Sequence, residues 1–305
     1  MMNPFKVLTM PEYFFRPSQI LTRLRRSFSG MPPSDRVTLP WGDVITVRPH
    51  EVIGAGIWYY GIFDLPVTEA ICRLLDRGET ALDIGANIGQ MTSLLRVMAG
   101  EKGRVLSFEP HPELFSEMSS LVAQRSDGDF APVERHQLAL GDVEGEAHLQ
   151  VPQYWTHNRG IAKLSSATGN GTSIQVKVTT LDRVVPPGTH VGVCKIDVEG
   201  HELGVFKGAA QLLADRRIRD IIYEDFQPYP SPVHSHLKAA GFTLFHLGAR
   251  LLGPSLTEVD VRSGQPQIGE AGGANYLATL APDRAVARFK PGGWKVFRAG
   301  RTGRR

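Results

Sequence analysis

From Asp64 to Leu280 short apolar runs alternate with helical patterns, and no other feature of the chain narrows its fold so far. LPVTEAICRLLDRG reads as a helix with Gly78 past its end, and TALDI as a buried strand. NIGQMTSLLRVMAG, RVLSFEP and HPELFSEMSSLVAQ continue as helix, strand and helix, the last with Pro112 near its start. VERHQLALGD, EAHLQV, SIQVKVTTLD and VGVCKI supply further strands. HELGVFKGAAQLLA is a helix, IRDIIYED a strand, and SPVHSHLKAAG with FTLFHL repeats the unit. NYLATL reads as a last edge strand, and the glycine-rich segment from Ser263 to Gly273 as a mobile loop. Such alternation implies parallel βαβ crossovers and a doubly wound α/β sheet with helices on both faces. Ligands of such sheets sit beyond the carboxyl ends of the strands.

Those strand ends are acidic: Asp83, Glu109, Asp142, Asp197 with Glu199, and Glu224 with Asp225. Carboxylates gathered at one crevice cost energy unless they meet hydroxyls, N–H groups or a cation. In ALDIGANIG one acid precedes a turn with glycines at Gly85 and Gly89, where bare backbone and a helix N-terminus face a ligand. Glu109 stands 20 residues after Gly89, the place of an acid that accepts ribose hydroxyls. That spacing suits both NAD and S-adenosylmethionine. The centre of the turn is Asn87, where a diphosphate site wants glycine, and Asp83 would repel a diphosphate. The same acid favours the ammonium and sulfonium of S-adenosylmethionine, which is therefore the expected cofactor.

LDIGANIG, SFEPHPELF, LALGD, TLD, KIDVEGHE followed by KGA, and IIYED occur in order over residues 80–225, and the chain resembles the FkbM family of S-adenosylmethionine-dependent methyltransferases. The resemblance implies a Rossmann-like class I fold, a seven-stranded, mostly parallel sheet with one antiparallel strand. It also implies methylation of oxygen on a sugar, glycan or secondary metabolite. By position, Asp83, Gly85, Asn87 and Gly89 match the motif that holds the methionine part of the cofactor, Glu109 the ribose-binding acid, and Asp142 an adenine-contacting acid. Asp197 and Glu199 would face the methyl group and the acceptor as catalytic groups. Gln90 and Met91 stand where aromatic residues are frequent in the family.

The flanks suggest an N-terminal extension over 1–62, a methyltransferase domain over 63–282 and a basic tail over 283–305. In SQILTRLRRSF, Ile20, Leu21, Leu24 and Phe28 share one helical face, for packing on the domain or lying on an anionic membrane. RVTLPWGDVITVRP reads as a β-hairpin. A formal charge of +3 over 305 residues gives no case for nucleic acid, and the two cysteines suggest no disulfide framework. With no long apolar run or signal-type segment, the expectation is a cytoplasmic enzyme with a small-molecule or glycan acceptor, its oligomeric state open. His157, His201, His234 and His236 form no closed ligand set, so no metal is expected. Lys195 reads as a snorkelling strand residue or a site residue, and Glu224 as pairing with Arg216 or Arg219 or facing the crevice. Asp142 is either a site acid or a turn residue. The competing functions are an NAD-dependent oxidoreductase on a similar fold and a noncatalytic adapter held to a membrane or partner.

Overall fold

The computed structural model describes residues 10–124, 128–152, 155, 158–159, 163–165, 172–227, 229–259 and 275–301. The chain begins with α1 (Pro11–Phe14) and α2 (Ser18–Ser29), a hairpin of β1 (Asp35–Thr38) and β2 (Val44–Val47), and α3 (Val52–Tyr60). The alternating region follows as α4 (Leu65–Leu74), β3 (Thr80–Ile84), α5 (Gln90–Ala99), β4 (Arg104–Phe108), α6 (Pro112–Ala123) and β5 (Val133–His136). Next come β6 (Ala139–Leu140), β7 (Gly145–Val151), β8 (Lys163–Ser165), β9 (Thr172–Thr179), α7 (Leu181–Val184) and β10 (Val191–Ile196). The chain continues with α8 (Glu202–Lys207), α9 (Ala210–Ala214), β11 (Ile218–Glu224), α10 (Pro232–Ala239), β12 (Thr243–Arg250) and β13 (Gly253–Glu258). It closes with β14 (Asn275–Thr279), α11 (Pro282–Phe289) and a short 3-10 helix (Val296–Arg301).

The principal sheet has eight strands in the order β13-β12-β14-β11-β10-β3-β4-β5. β5, β4, β3, β10 and β11 run parallel, and β14 enters antiparallel between β11 and β12. Those seven strands with one reversed match the expected sheet. The eighth, β13, is an addition that folds back on β12 as a hairpin. NYLATL is accordingly no edge strand: all five residues of β14 are buried, because the chain returns into the gap between β11 and β12. EAHLQV and SIQVKV also leave the principal sheet, forming a separate four-stranded sheet of order β6-β9-β7-β8. The segment from Ser263 to Gly273 lies outside the described residues.

The parallel strands carry apolar side chains toward both faces, as strands covered by helices on both sides must. Ala81, Val105 and Val193 join one core cluster, and Leu82, Leu106 and Cys194 the other. The hairpin belongs to the first cluster: Trp41 packs there and donates to Ser93 Oγ at 2.9 Å, while Asp43 meets Arg96 at 3.0 Å. The C-terminal segment is tied to the same layer. Arg73, fully buried, donates to the carbonyls of Arg288, Pro291 and Gly293, and its partner Glu69 accepts from the N–H groups of Lys295 and Val296. Both cysteines are buried and free.

Helix α2 is placed against its own pattern. Its polar side faces the protein: Gln19 is buried, Arg23 lies over the rings of Tyr13, Tyr59 and Tyr60, and Arg26 over that of Trp58. Leu21, Leu24 and Phe28 face solvent. No described helix is long and apolar enough to cross a membrane.

Candidate active site

The chain runs from β3 outward through β4 to β5, then returns to lay β10 and β11 on the other side of β3. The switch point between β3 and β10 is where a doubly wound sheet opens a crevice at its carboxyl edge. A cavity of about 360 Å³ lies there, lined by Gly85 and Asn87 after β3, Glu109 after β4, Lys195, Asp197 and Glu199 from β10 and its turn, and Glu224 at the end of β11. Asp64 and Phe63, just before α4, and Asn275 of β14 complete its wall.

The glycines of the first turn assemble this crevice by letting protein meet protein. Gly85 has φ of 75°, and a Cβ there would stand 1.8 Å from the carbonyl oxygen of Asp197. Only glycine lets the ends of β3 and β10 close to that distance. Gly89, φ 89°, has the same role against Met118 of α6, 2.8 Å from a hypothetical Cβ. Between them Asn87 also takes a left-handed φ of 51°, which its side chain supports by accepting from Ile88 N at 2.8 Å. Asp64 (φ 53°) and Glu199 (φ 54°) share that uncommon conformation. Among the described residues, three of the four non-glycine residues with positive φ therefore line one cavity, the fourth being Arg216.

Asp83 is fully buried beneath the lining, not in it. Parallel register sets Lys195 beside it, with Nζ 3.6 Å from Asp83 Oδ1 and 3.6 Å from Asp197 Oδ2. The ammonium donates to Gly85 O at 2.7 Å, and Thr92 donates to Asp83 Oδ2 at 2.5 Å. Asp83 thus supports the turn through Lys195, so its expected direct contact with a cofactor cation is replaced by an internal one. Lys195 is buried rather than snorkelling. Burial alone would lower its pKa, but Asp197, Asp83, Glu109 and Asp64 outweigh that and raise it.

Glu109 is buried with both oxygens oriented: Oε2 accepts from Asn87 N at 2.8 Å and Oε1 from His111 N at 2.9 Å. Burial pushes its carboxyl up to about 7 against those hydrogen bonds. A ligand offering hydroxyl donors there would favour the charged form. Glu224 faces the cavity, while Arg219 is taken by Glu79 and Asp220. Burial, then Asp197, Asp64 and Glu199, push Glu224 up to about 8. Its neighbour Asp225 turns away, accepting from Ser231 Oγ and from Gln227 N at 2.9 Å.

Asp142 is exposed and outside the lining, because β6 already belongs to the second sheet and the chain turns outward after it; Leu138, Ala139 and Leu140 line that side instead. The sequence reading missed Asp64, which accepts from Val67 N at 3.2 Å and from Asn275 Nδ2 at 3.1 Å and is pushed up to about 6 by burial. Nothing local distinguishes an N-cap acid from a site acid; only the tertiary neighbour Asn275 does. Gln90, standing where the family often has an aromatic residue, clamps the backbone of Phe63 with bonds of 2.9 and 2.8 Å, and the ring of Phe63 lines the cavity. Glu202 pins the turn after β10 by accepting from Val198 N at 3.2 Å and Gly200 N at 3.1 Å.

The histidines are occupied elsewhere. His234 closes a capping box with Ser231, His236 stacks near Phe206, and His201 precedes α8; His157 lies outside the described residues. Among the described residues no group of three or more His, Cys, Asp or Glu is placed to hold a metal ion.

The model of the methyltransferase FkbM domain matches residues 83–244, the stretch that carries both halves of this crevice. The chain belongs to the FkbM methyltransferase family. Membership makes S-adenosylmethionine its methyl donor, and the strand order is that of a Rossmann-like methyltransferase. This FkbM methyltransferase is 29% identical over 158 residues to the hexuronic acid methyltransferase AglP of Haloferax volcanii, an overlap of 50% of this chain and 60% of that protein. Among solved structures, a TehB-like S-adenosylmethionine-dependent methyltransferase of Corynebacterium glutamicum gives a TM-score of 0.39 at 12% identity, covering 74% of this chain and 91% of that one. Fibrillarin of Aeropyrum pernix with bound S-adenosylmethionine gives 0.36 at 12% identity, covering 82% and 95%.

Proposed function

We propose that this FkbM methyltransferase methylates a hydroxyl of a sugar or a similarly polyhydroxylated acceptor. The observation that carries the reading is the set of carboxylates on the β10 and β11 side of the crevice, Asp197, Glu199 and Glu224, with Asp64, held by Asn275 of the neighbouring β14. Carboxylates are strong acceptors for the many O–H donors of a polyol, and an alcohol that takes up a methyl group must lose a proton. S-adenosylmethionine supplies an electrophilic methyl group. The protein's work is to hold an oxygen in line with it and to receive the proton.

In this reading Glu109 holds the ribose hydroxyls, and the Gly85–Gly89 turn with Asn87 receives the methionine part. Asp83 and Lys195 fix that turn from below. Glu199, held in its strained conformation at the crevice, and Asp197 address the acceptor, one of them taking its proton. The curated relative acts on a hexuronic acid, which supports a carbohydrate acceptor. The acidic lining favours reaction at a neutral hydroxyl, because a free uronate carboxylate would be repelled by Asp197, Glu199 and Glu224.

The test is transfer from methyl-labelled S-adenosylmethionine to a panel of hexosides and hexuronides, with the product position read by NMR and the Glu199→Gln and Asp197→Asn variants run beside the native chain. The expected product is a methyl ether. At least one variant should lose roughly 10² to 10⁴-fold in single-turnover rate. Methyl ester or N-methyl products alone, or undiminished rates in both variants, would overturn the reading.

A further inference from the structure

Ten large apolar residues are exposed among the described ones, and five of them, Phe14, Leu21, Leu24, Phe28 and Met31, fall between residues 14 and 31. On α2 three form a stripe: Leu21 is 71% exposed, Leu24 51% and Phe28 89%. A surface helix ordinarily turns such a stripe to the core. Here the opposite side is already engaged. Gln19 donates to the carbonyl of Tyr59 at 3.1 Å, the guanidinium of Arg23 lies 5.0 Å from the centre of the Tyr59 ring, and Arg26 binds the Trp58 carbonyl and Asp35. Rotating the helix to bury Leu21 and Phe28 would strip two guanidinium groups of these partners, so the apolar side is held outward.

We propose that this outward face is a docking surface for an anionic lipid bilayer, with Leu21, Leu24 and Phe28 entering the headgroup boundary and basic residues around them meeting the headgroups. Charge selects this occupant. From Tyr13 to Ser34 the chain has no acid, and of its four arginines Arg25 is the one exposed, Arg23 and Arg26 being held against the protein. Arg25, exposed, lies about 40° around the helix from Leu21, at the rim where a guanidinium reaches headgroups while its stem follows the apolar stripe. The most basic part of the molecule is anchored beside the same unit: the ring of Phe297 stacks on Phe15 at 6.4 Å. Lys290, Lys295 and Arg298 of that segment are exposed. An apolar helix face flanked by cations on one side of a protein is the composition of an in-plane interfacial anchor. Helix α3 connects this unit to the crevice: its Trp58 and Tyr59 hold α2, and its first residues, Val52 and Ile53, stand in the crevice wall. The proposal does not depend on the identity of the acceptor.

The test is co-sedimentation of the full chain with vesicles of equal parts phosphatidylcholine and phosphatidylglycerol, and with phosphatidylcholine alone. The native chain is expected to sediment with the anionic vesicles and to be released by salt. Leu21→Ser, Leu24→Ser and Phe28→Ser combined should weaken binding about tenfold or more at an unchanged melting temperature. Phe28→Ser alone, at the most exposed of the three, should weaken it detectably should the triple variant fold poorly. Absence of binding to anionic vesicles, equal binding to both compositions, or undiminished binding by the variants would overturn the proposal. So would light scattering that shows a dimer dissolved by the same substitutions without any vesicle binding, which would make this face a contact between two copies.

Discussion

Glu224 is the residue whose environment has the most direct kinetic consequence. Burial, and then the neighbouring carboxylates Asp197, Asp64 and Glu199, raise its carboxyl to about 8. Below that value the group is neutral and cannot share in accepting a proton; above it the carboxylate is charged and can. The expected sign is therefore a methyl-transfer rate that climbs with pH up to about 8 and then levels. Because interacting carboxylates titrate together, that limb belongs to the cluster as well as to Glu224. Glu224→Gln fixes the mimic of the protonated state, so its single-turnover rate should stay near the low-pH level throughout the range. A variant that keeps the native rise through pH 8 would remove Glu224 from the chemistry. Measurement of single-turnover rates at saturating cofactor from pH 6 to 9 would decide it.

At the scale of elements, the turn after β3 illustrates how far the sequence could be read. ALDIGANIG correctly marked a strand, a glycine turn and a helix start, because buried strands and glycine turns leave local signatures. What the glycines meet was not legible, since the carbonyl of Asp197 arrives from more than a hundred residues away. Gly85→Ala should thus act through packing as well as backbone strain: a Cβ at 1.8 Å from that oxygen forces β3 and β10 apart. The expected result is a melting temperature several degrees lower, with cofactor binding lost in parallel; an Ala variant as stable as the native chain would show that the closure is not tight. Helix α3 escaped notice for a related reason. Its sequence VIGAGIWYY holds two glycines that lower helix propensity, yet Gly56 lies where any larger residue would strike the ring of Phe63. In α2 the apolar period was plain, but which side faces the core was decided by Tyr13, Trp58 and Tyr59, aromatic partners for arginine that no local pattern reveals.

Across the whole molecule, strand order converts those local features into one crevice with two functional sides. β3 and β4 end in the Gly85–Gly89 turn and Glu109, while β10 and β11 end in Asp197, Glu199 and Glu224. The N-terminal hairpin and the C-terminal segment close the same core layer, with Arg73 and Glu69 binding the returning chain at its carbonyls and N–H groups. In the proposed reading binding and chemistry are separated by strand, and the two should fail separately. The most direct measurement is calorimetric titration of S-adenosylmethionine into the native chain, Glu109→Ala and Glu199→Gln. Loss of the oriented carboxylate in Glu109→Ala should weaken cofactor affinity by about tenfold or more, whereas Glu199→Gln should leave it within about twofold of the native value. Equal affinities in the native chain and Glu109→Ala, or a larger loss in Glu199→Gln than in Glu109→Ala, would contradict this division of the site.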